Sequence, residues 1–331
     1  MPSTQTSQPA THPADRGAPP LLLTPLAQRM EAAHGESAVQ RDPEFIRRQL
    51  PAIARYTSYF SPEVRGLDRL PAEGPALVVG NHSCLFYMPE AWISGQAVLS
   101  RRGIGSPSYL LTYDLLLALP GIGPALRRLG AIPASAQDAE QALGRGACVV
   151  VYPGGDLEAC RPWTQRNQID FGGRKGFVRL ALRTGVPVVP VVAHGGQHAV
   201  VVLSRGDRLA RAAGLHNIRI KVFPFLAGPF GVTSILTPPA PMPAQLTVEF
   251  LPPLDWTGYG QEAAADPAIV SGCYDDITGR MQAALDRLAA ERPYPLLDGY
   301  SRLTTRTGAA AMRRARDLGR ALSRAGHLVV P

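Results

Sequence analysis

The residues able to do chemistry gather in two short stretches. In VVGNHSCLFYMPEAW, Val78 to Trp92, an apolar run of strand type stops at Gly80, and Asn81 and His82 follow it. A neutral imidazole in a loop at a strand end stands on a rigid base, stays accessible and can take a proton from a hydroxyl near neutral pH. A carboxylate on the other ring nitrogen fixes the tautomer and stabilises the imidazolium. The first acid after His82 is Glu90, which we take as that partner, with Asp114 as a weaker substitute. Glu90 also follows Pro89 at an expected helix start, where a first-turn carboxylate stabilises the helix by itself. Asn81 and His82 can likewise serve only as caps through side-chain hydrogen bonds. Ser83 and Cys84 lie outside any G-x-S-x-G elbow and read as loop or core residues.

The second stretch is VVVYPGGDLEACRPW, Val149 to Trp163. Gly154 and Gly155 permit close backbone approach and positive φ, as an oxyanion- or hydroxyl-binding loop needs, or they form an ordinary turn. Glu158 either fixes acceptor hydroxyls or pairs with Arg161 to brace the loop. Downstream, Arg174 and Lys175 in GGRKG stand at an expected helix start, where amides and cations together hold phosphate. Solvated surface charge is their alternative role. His194 and His198 follow the run PVVPVV and can face the same pocket; with no third ligand nearby, no metal site is expected.

The elements that must hold these residues alternate between short Val-rich runs and helical segments. ALVVG, ACVVVYP and PVVPVVA read as strands covered on both faces, and GFVRLALRTG reads as helix, a pattern that predicts an α/β fold. IRIKVFPFL and QLTVEFLPPL read as further strands, the latter alternating as a half-exposed strand would. GPFGVTSILTPPAPMPA reads as loop. DPEFIRRQLPAIARYTSYF carries a helix start at Asp42 and Pro43 and predicts a helix kinked at Pro51, and DITGRMQAALDRLAAER reads as an amphipathic helix. Tyr109 to Ile122 supplies enough Leu and Ile for a helical pair lining an acyl slot or dipping into a bilayer, or simply for core packing. The expected organisation is a disordered tail over 1–25, one domain over 26–298 with its core at 64–255, and a basic C-terminal helix over 299–331.

The chain has 331 residues, 45% of them hydrophobic and 18% charged, with a net charge of +8, which suits anionic surfaces or ligands. Its four cysteines, Cys84, Cys148, Cys160 and Cys273, are widely spaced, which suggests a reduced cytoplasmic compartment. No run reaches the ~18 apolar residues of a spanning helix, and the N-terminus reads as neither signal peptide nor anchor.

VRGLDRLPAEGPALVVGNHS resembles the first motif of the glycerolipid acyltransferases, the lysophosphatidate acyltransferase-like family, where strand, Asn and His are followed by an Asp. VVVYPGGDLEACRPW is similar to the third motif, and its Gly154 to Ala159 wording is closer to the diacylglycerol acyltransferase branch. GRKGFVRLALRTGVPVVPVV looks like that branch's helix leading into the fourth motif. The similarity spans roughly Val64 to Asp255. Two departures stand out: Tyr87 occupies the family's Asp position, and LGAIPAS lacks the Arg that ends the second motif in the phosphate-acceptor branch.

The resemblance implies a single-domain α/β fold, a mixed and mostly parallel sheet flanked by helices. It implies an O-acyltransferase with His82 as base, Glu90 as its possible orienter and the Gly154 to Arg161 loop holding the acceptor. The expected substrate-binding residues are Asn81, Gly154, Gly155, Glu158, Arg161, Arg174, Lys175 and His194, with Arg174 and Lys175 placed to hold a phosphate such as that of coenzyme A. No cofactor is expected; acyl-CoA, or an acyl chain on acyl carrier protein, is the co-substrate. The expected partners are a membrane lipid and a membrane surface on the cytoplasmic inner face, and no nucleic acid. Two other readings use the same site, a lipid esterase with water as acceptor and a catalytically idle lipid-binding protein.

Overall fold

The computed structural model describes residues 40–84, 87–214, 222–234 and 236–305. The 1–25 tail, the helical start near Leu26 and the arginine-rich stretch 313–324 lie outside the described residues. In chain order the elements run α1 (Pro43–Ser58), β1 (Glu63–Arg65), β2 (Ala76–Gly80), α2 (Pro89–Arg102), β3 (Ser108–Thr112), α3 (Asp114–Ala118), α4 (Ile122–Leu129) and β4 (Ala131–Pro133). There follow α5 (Ala136–Gly144), β5 (Cys148–Val151), α6 (Gly155–Ala159), α7 (Gly176–Thr184), β6 (Val188–His194) and β7 (Val201–Ser204). The last are α8 (Asp207–Ala212), β8 (Phe225–Gly228), β9 (Gly231–Ser234), β10 (Thr247–Phe250) and α9 (Pro267–Glu291).

A seven-stranded sheet has the order β1-β10-β6-β2-β5-β3-β4, and β7, β8 and β9 form a second, antiparallel sheet. In the large sheet only the β10–β6 pair is antiparallel, so the expected mixed and mostly parallel architecture is what the chain adopts. The Val-rich strands β2, β5 and β6 sit at the centre because both of their faces are apolar and each finds a cover. On one face α5, α7 and α9 pack over Leu77, Val79, Val149, Val188 and Val192. On the other, α2 and the small sheet cover Val78, Val150, Val189 and Val191. Pro190 survives inside a central strand because β10 has already ended on the side that its missing N–H would face. Its carbonyl accepts there from the Leu251 N–H at 2.8 Å.

Several local expectations are corrected. Tyr109 to Ile122 is not a helical pair: Tyr109 to Thr112 belongs to β3, paired between β5 and β4, and only then come the short α3 and α4. A four-residue run, Tyr109 to Thr112, carries no distinguishing period, so the flanking strands decided. β10 is buried on both faces rather than half exposed: Val248 and Phe250 join the core on one side, and Arg292 and Arg287 cover Thr247 and Glu249 on the other. Residues Gly231–Ser234, expected as loop, form β9. The first helix runs Pro43–Ser58 with Pro51 inside it, as expected, and that proline faces solvent. No helix among the described residues is long and apolar enough to cross a membrane.

Candidate active site

Strands β2, β5 and β6 are neighbours and run parallel, so the loops leaving their C-terminal ends converge. Asn81 leaves β2 and ties it to β6: its Nδ2 donates to the Ala193 carbonyl at 3.0 Å, and its Oδ1 accepts from the Ala193 N–H at 2.7 Å. This buried two-way bond makes Asn81 a latch between strands, removed from ligand contact.

His82 comes next, with its side chain 12% exposed. The loop returns through Met88, a non-glycine residue held in the left-handed region at φ 39°, into Pro89 at the start of α2. That turn places the Glu90 carboxylate, 0% exposed, at 3.0 Å from His82 Nδ1. Ser83 holds the same carboxylate, through its N–H to Oε1 and its hydroxyl to Oε2, both at 3.2 Å. With its proton on Nδ1, the imidazole donates to Glu90 and leaves Nε2 as a free base; among the described residues Nε2 has no hydrogen-bond partner.

Tyr152, which sequence reasoning passed over, stacks on the His82 ring with centroids 4.6 Å apart and planes at 23°. The β2–β5 register pairs Val79 with Val151, so Tyr152 lies beside Gly80. A Cβ at Gly80 would come within 2.5 Å of the Tyr152 ring. A glycine facing an aromatic across a parallel register was the available signal.

The Gly154–Arg161 stretch departs from the acceptor-binding expectation. Gly155, at φ 51°, closes a turn in which its N–H donates to the Tyr152 carbonyl, leading directly into α6. Gly154 has no room for a Cβ, which would lie 2.3 Å from the Glu158 carboxylate. Glu158 and Arg161 are fully buried and paired at 3.0 Å, so neither touches an acceptor. They clasp the His82 backbone instead: the His82 N–H donates to Glu158 Oε2 at 2.9 Å, and Arg161 Nη2 donates to the His82 carbonyl at 3.2 Å. Arg161 Nη1 also reaches the Gln168 carbonyl, Glu158 Oε1 accepts from the Asp170 N–H, and the Gln197 amide, turned to face Arg161, accepts from its guanidinium. Burial pushes the Glu158 carboxyl up to about 7, against the opposing pull of Arg161.

The remaining candidates are also engaged within the fold. Arg174 donates to the Pro153 and Gly154 carbonyls and to Asp156, and Lys175 donates to Ser271 on α9. His194 does not face the His82 pocket. Along β6 it shares the side of Val188 and Val192, whereas Tyr152, on which His82 stacks, packs with the opposite face. Asp114 begins α3 and is buried there, 4% exposed. Among the described residues no cluster of three or more His, Cys, Asp or Glu can hold a metal ion.

His194 and His198 lie with ring centroids 6.1 Å apart, and burial is the main force holding each down to about 4. Unfolded histidine titrates near 6.5, so between about 6.5 and about 4 the unfolded chain takes up protons that the fold refuses, and stability is lost as pH falls through that window. We expect the loss to reach roughly 3 kcal/mol for His194, from about 2.5 pH units of depression. Urea midpoints measured from pH 7.5 down to pH 4.5 will show a steeper acid limb in the wild type than in His194→Gln; parallel limbs would refute this account.

Residues 61–194 match the family model described as Acyltransferase. An uncharacterized protein of Mycobacterium tuberculosis is 31% identical over 270 residues, spanning 81% of this chain and 73% of that protein. The DGAT1/2-independent enzyme synthesizing storage lipids of Bos taurus is 26% identical over 195 residues, 57% of this chain and 55% of its own length. Among solved structures, the 1-acyl-sn-glycerophosphate acyltransferase PlsC of Thermotoga maritima superposes with a TM-score of 0.40 at 17% identity, covering 82% of this chain and 96% of that one.

Proposed function

The chain belongs to the acyltransferase family, and we propose that it moves a fatty acyl group from a thioester carrier, acyl-CoA or acyl carrier protein, to a hydroxyl of a glycerolipid. The observation that carries this reading is the 3.0 Å contact between His82 Nδ1 and the buried Glu90 carboxylate; among the described residues the other ring nitrogen is unengaged. In the reaction Nε2 takes the acceptor hydroxyl proton as that oxygen attacks the thioester carbonyl. The resulting imidazolium, stabilised by Glu90, returns the proton to the departing thiolate as the C–S bond breaks. Tyr152 stacked on one face of the ring and the bonds to both His82 backbone groups hold the base in place.

A glycerolipid with an uncharged head, of the mono- or diacylglycerol type, is the acceptor favoured here. A phosphate needs free cationic forks, and Arg161 and Arg174 are committed to bonds within the loop itself. The bovine relative's name, an enzyme synthesizing storage lipids, accords with a neutral product. Since such acceptors reside in bilayers, the protein works at a membrane surface.

Purified protein given labelled acyl-CoA and a panel of acceptors tests the proposal. We expect ester product from monoacylglycerol or diacylglycerol at a kcat/KM at least about tenfold above that with lysophosphatidate, the factor one unmatched charge is worth. A preference for the phosphorylated acceptor would overturn the head-group assignment. Release of free fatty acid alone would make the protein an esterase, and binding without turnover an idle lipid binder.

A further inference from the structure

The small sheet has one face in the core and one in solvent. Val202 of β7 and Leu226 of β8 are buried against the large sheet. By alternation, Phe225 and Ala227 point outward, and the register puts Val232 of β9 opposite Ala227 on that outer face. Exposure there is high for apolar residues: 68% for Val232, 89% for Phe230 at the hairpin tip and 77% for Leu236 just beyond, with Leu203 and Phe225 also exposed. Scattered surface apolar residues need no explanation, but a contiguous face on one hairpin does.

Two further observations say what covers it. Helix α8 follows β7 directly and exposes Arg208 and Arg211. These arginines, with Ser204, Gly206 and Asp207, line a surface hollow of about 300 Å³, room enough for a lipid head group. Ser204, which shares that hollow with the two arginines, pairs with Phe225 in the sheet, so the cations border the apolar face, and an apolar face bordered by cations beside a polar hollow matches the layering of a bilayer surface, acyl chains beneath anionic heads. The same element also adjoins the catalytic loop. Gly228 packs on Pro239, whose carbonyl accepts from the Tyr87 hydroxyl at 2.9 Å, and Gly196, just before β7, packs on Ser83.

We propose that the outer face of the β7–β8–β9 sheet, tipped by Phe230 and flanked by Arg208 and Arg211, is the surface on which the protein sits on an anionic bilayer. In doing so it brings the His82 loop to the membrane. The proposal deepens the lipid-acceptor reading and rests on it for its purpose.

Flotation of the full chain with phosphatidylcholine vesicles, with and without phosphatidylglycerol, tests it. The wild type floats with the anionic vesicles, and Phe230→Ser/Val232→Ser binds them roughly tenfold or more weakly, since two exposed apolar side chains no longer enter the bilayer. Arg208→Glu/Arg211→Glu loses the preference for phosphatidylglycerol, roughly fivefold or more for each arginine. All four side chains are solvent-exposed, so the fold tolerates these changes. Wild-type flotation that neither variant reduces, or no flotation at all, overturns the proposal. So does self-association that Phe230→Ser abolishes while vesicle binding stays intact, which would make a second copy the occupant. Acyl transfer to a detergent-dispersed acceptor, measured on the same preparations, separates the two readings. Transfer with variant-insensitive flotation sinks the docking surface alone, and variant-sensitive flotation without transfer to any lipid sinks the acceptor alone.

Discussion

Glu90→Gln is expected to lower kcat by roughly 10² to 10⁴ while leaving the fold intact, the range that separates an oriented, charge-stabilised base from an unassisted one. The amide is nearly isosteric and can still accept from His82 Nδ1, and the Ser83 hydroxyl can rotate to accept from the new NH₂. What it loses is the negative charge that stabilises the imidazolium in the transition state, and in a buried site that charge is poorly replaced by water. His82→Ala, which removes the base itself, should fall at least as far, and the double variant no further than His82→Ala, because the pair acts as one unit and its losses do not add. Steady-state thiol release, alongside thermal melts of each variant, checks both. A Glu90→Gln enzyme that keeps more than about a tenth of wild-type kcat, below the least effect a working base partner gives, would return Glu90 to its alternative role as a helix first-turn residue.

The second large effect falls on the buried clasp around the His82 backbone. Arg161→Met leaves Glu158 sealed among groups that expected a cation, and removing one partner of such a pair typically costs about 3–5 kcal/mol. We therefore expect a large fall in the urea midpoint. Adding Glu158→Gln to Arg161→Met removes the stranded acid and should recover most of that stability. Activity should stay low, because the His82 carbonyl has still lost the Nη2 donor that helps set its position. Glu158→Gln alone carries a pH signature. The folded carboxyl keeps its proton up to about 7, against 4.5 when unfolded. The fold thus holds more protons than the unfolded chain in this window, and Glu158's contribution to stability declines as pH rises from about 4.5 to about 7. The glutamine variant should lack that decline. Equal stability of Arg161→Met and wild type, or full activity in the stable double variant, would show that the pair neither supports the fold nor holds the base.

Much of the His82–Glu90 pair is legible in the sequence alone. A Val-rich run ending in Gly80, Asn81 and His82 reads as strand into loop because period and composition are local properties. Pro89 with Glu90 reads as a helix start because a missing N–H and a first-turn acid suit an N-terminus whatever lies around it. What that reading left open was whether Glu90 served its helix or His82. The chain reversal through the left-handed Met88 settles the distance, and nothing in the residue types announces that turn.

The loop after β5 shows the opposite case. Glu158 and Arg161, one helical turn apart, are equally good as a polar grip on a ligand and as an internal brace. The choice was made by residues distant in the chain, the Asp170 N–H, the Gln168 carbonyl, Gln197 and the His82 backbone, which close around the pair and seal it. His194 was separated from His82 by strand alternation, which assigns neighbouring residues to opposite faces once the register is known. Residue identity and short-range pattern determined the α/β class, the strand-end histidine and the candidate acid, since propensity and capping act within a few residues. Which charges meet solvent, which brace the His82 backbone and where an apolar face is left bare were decided only by the tertiary structure, because burial depends on what folds over a residue from elsewhere in the chain.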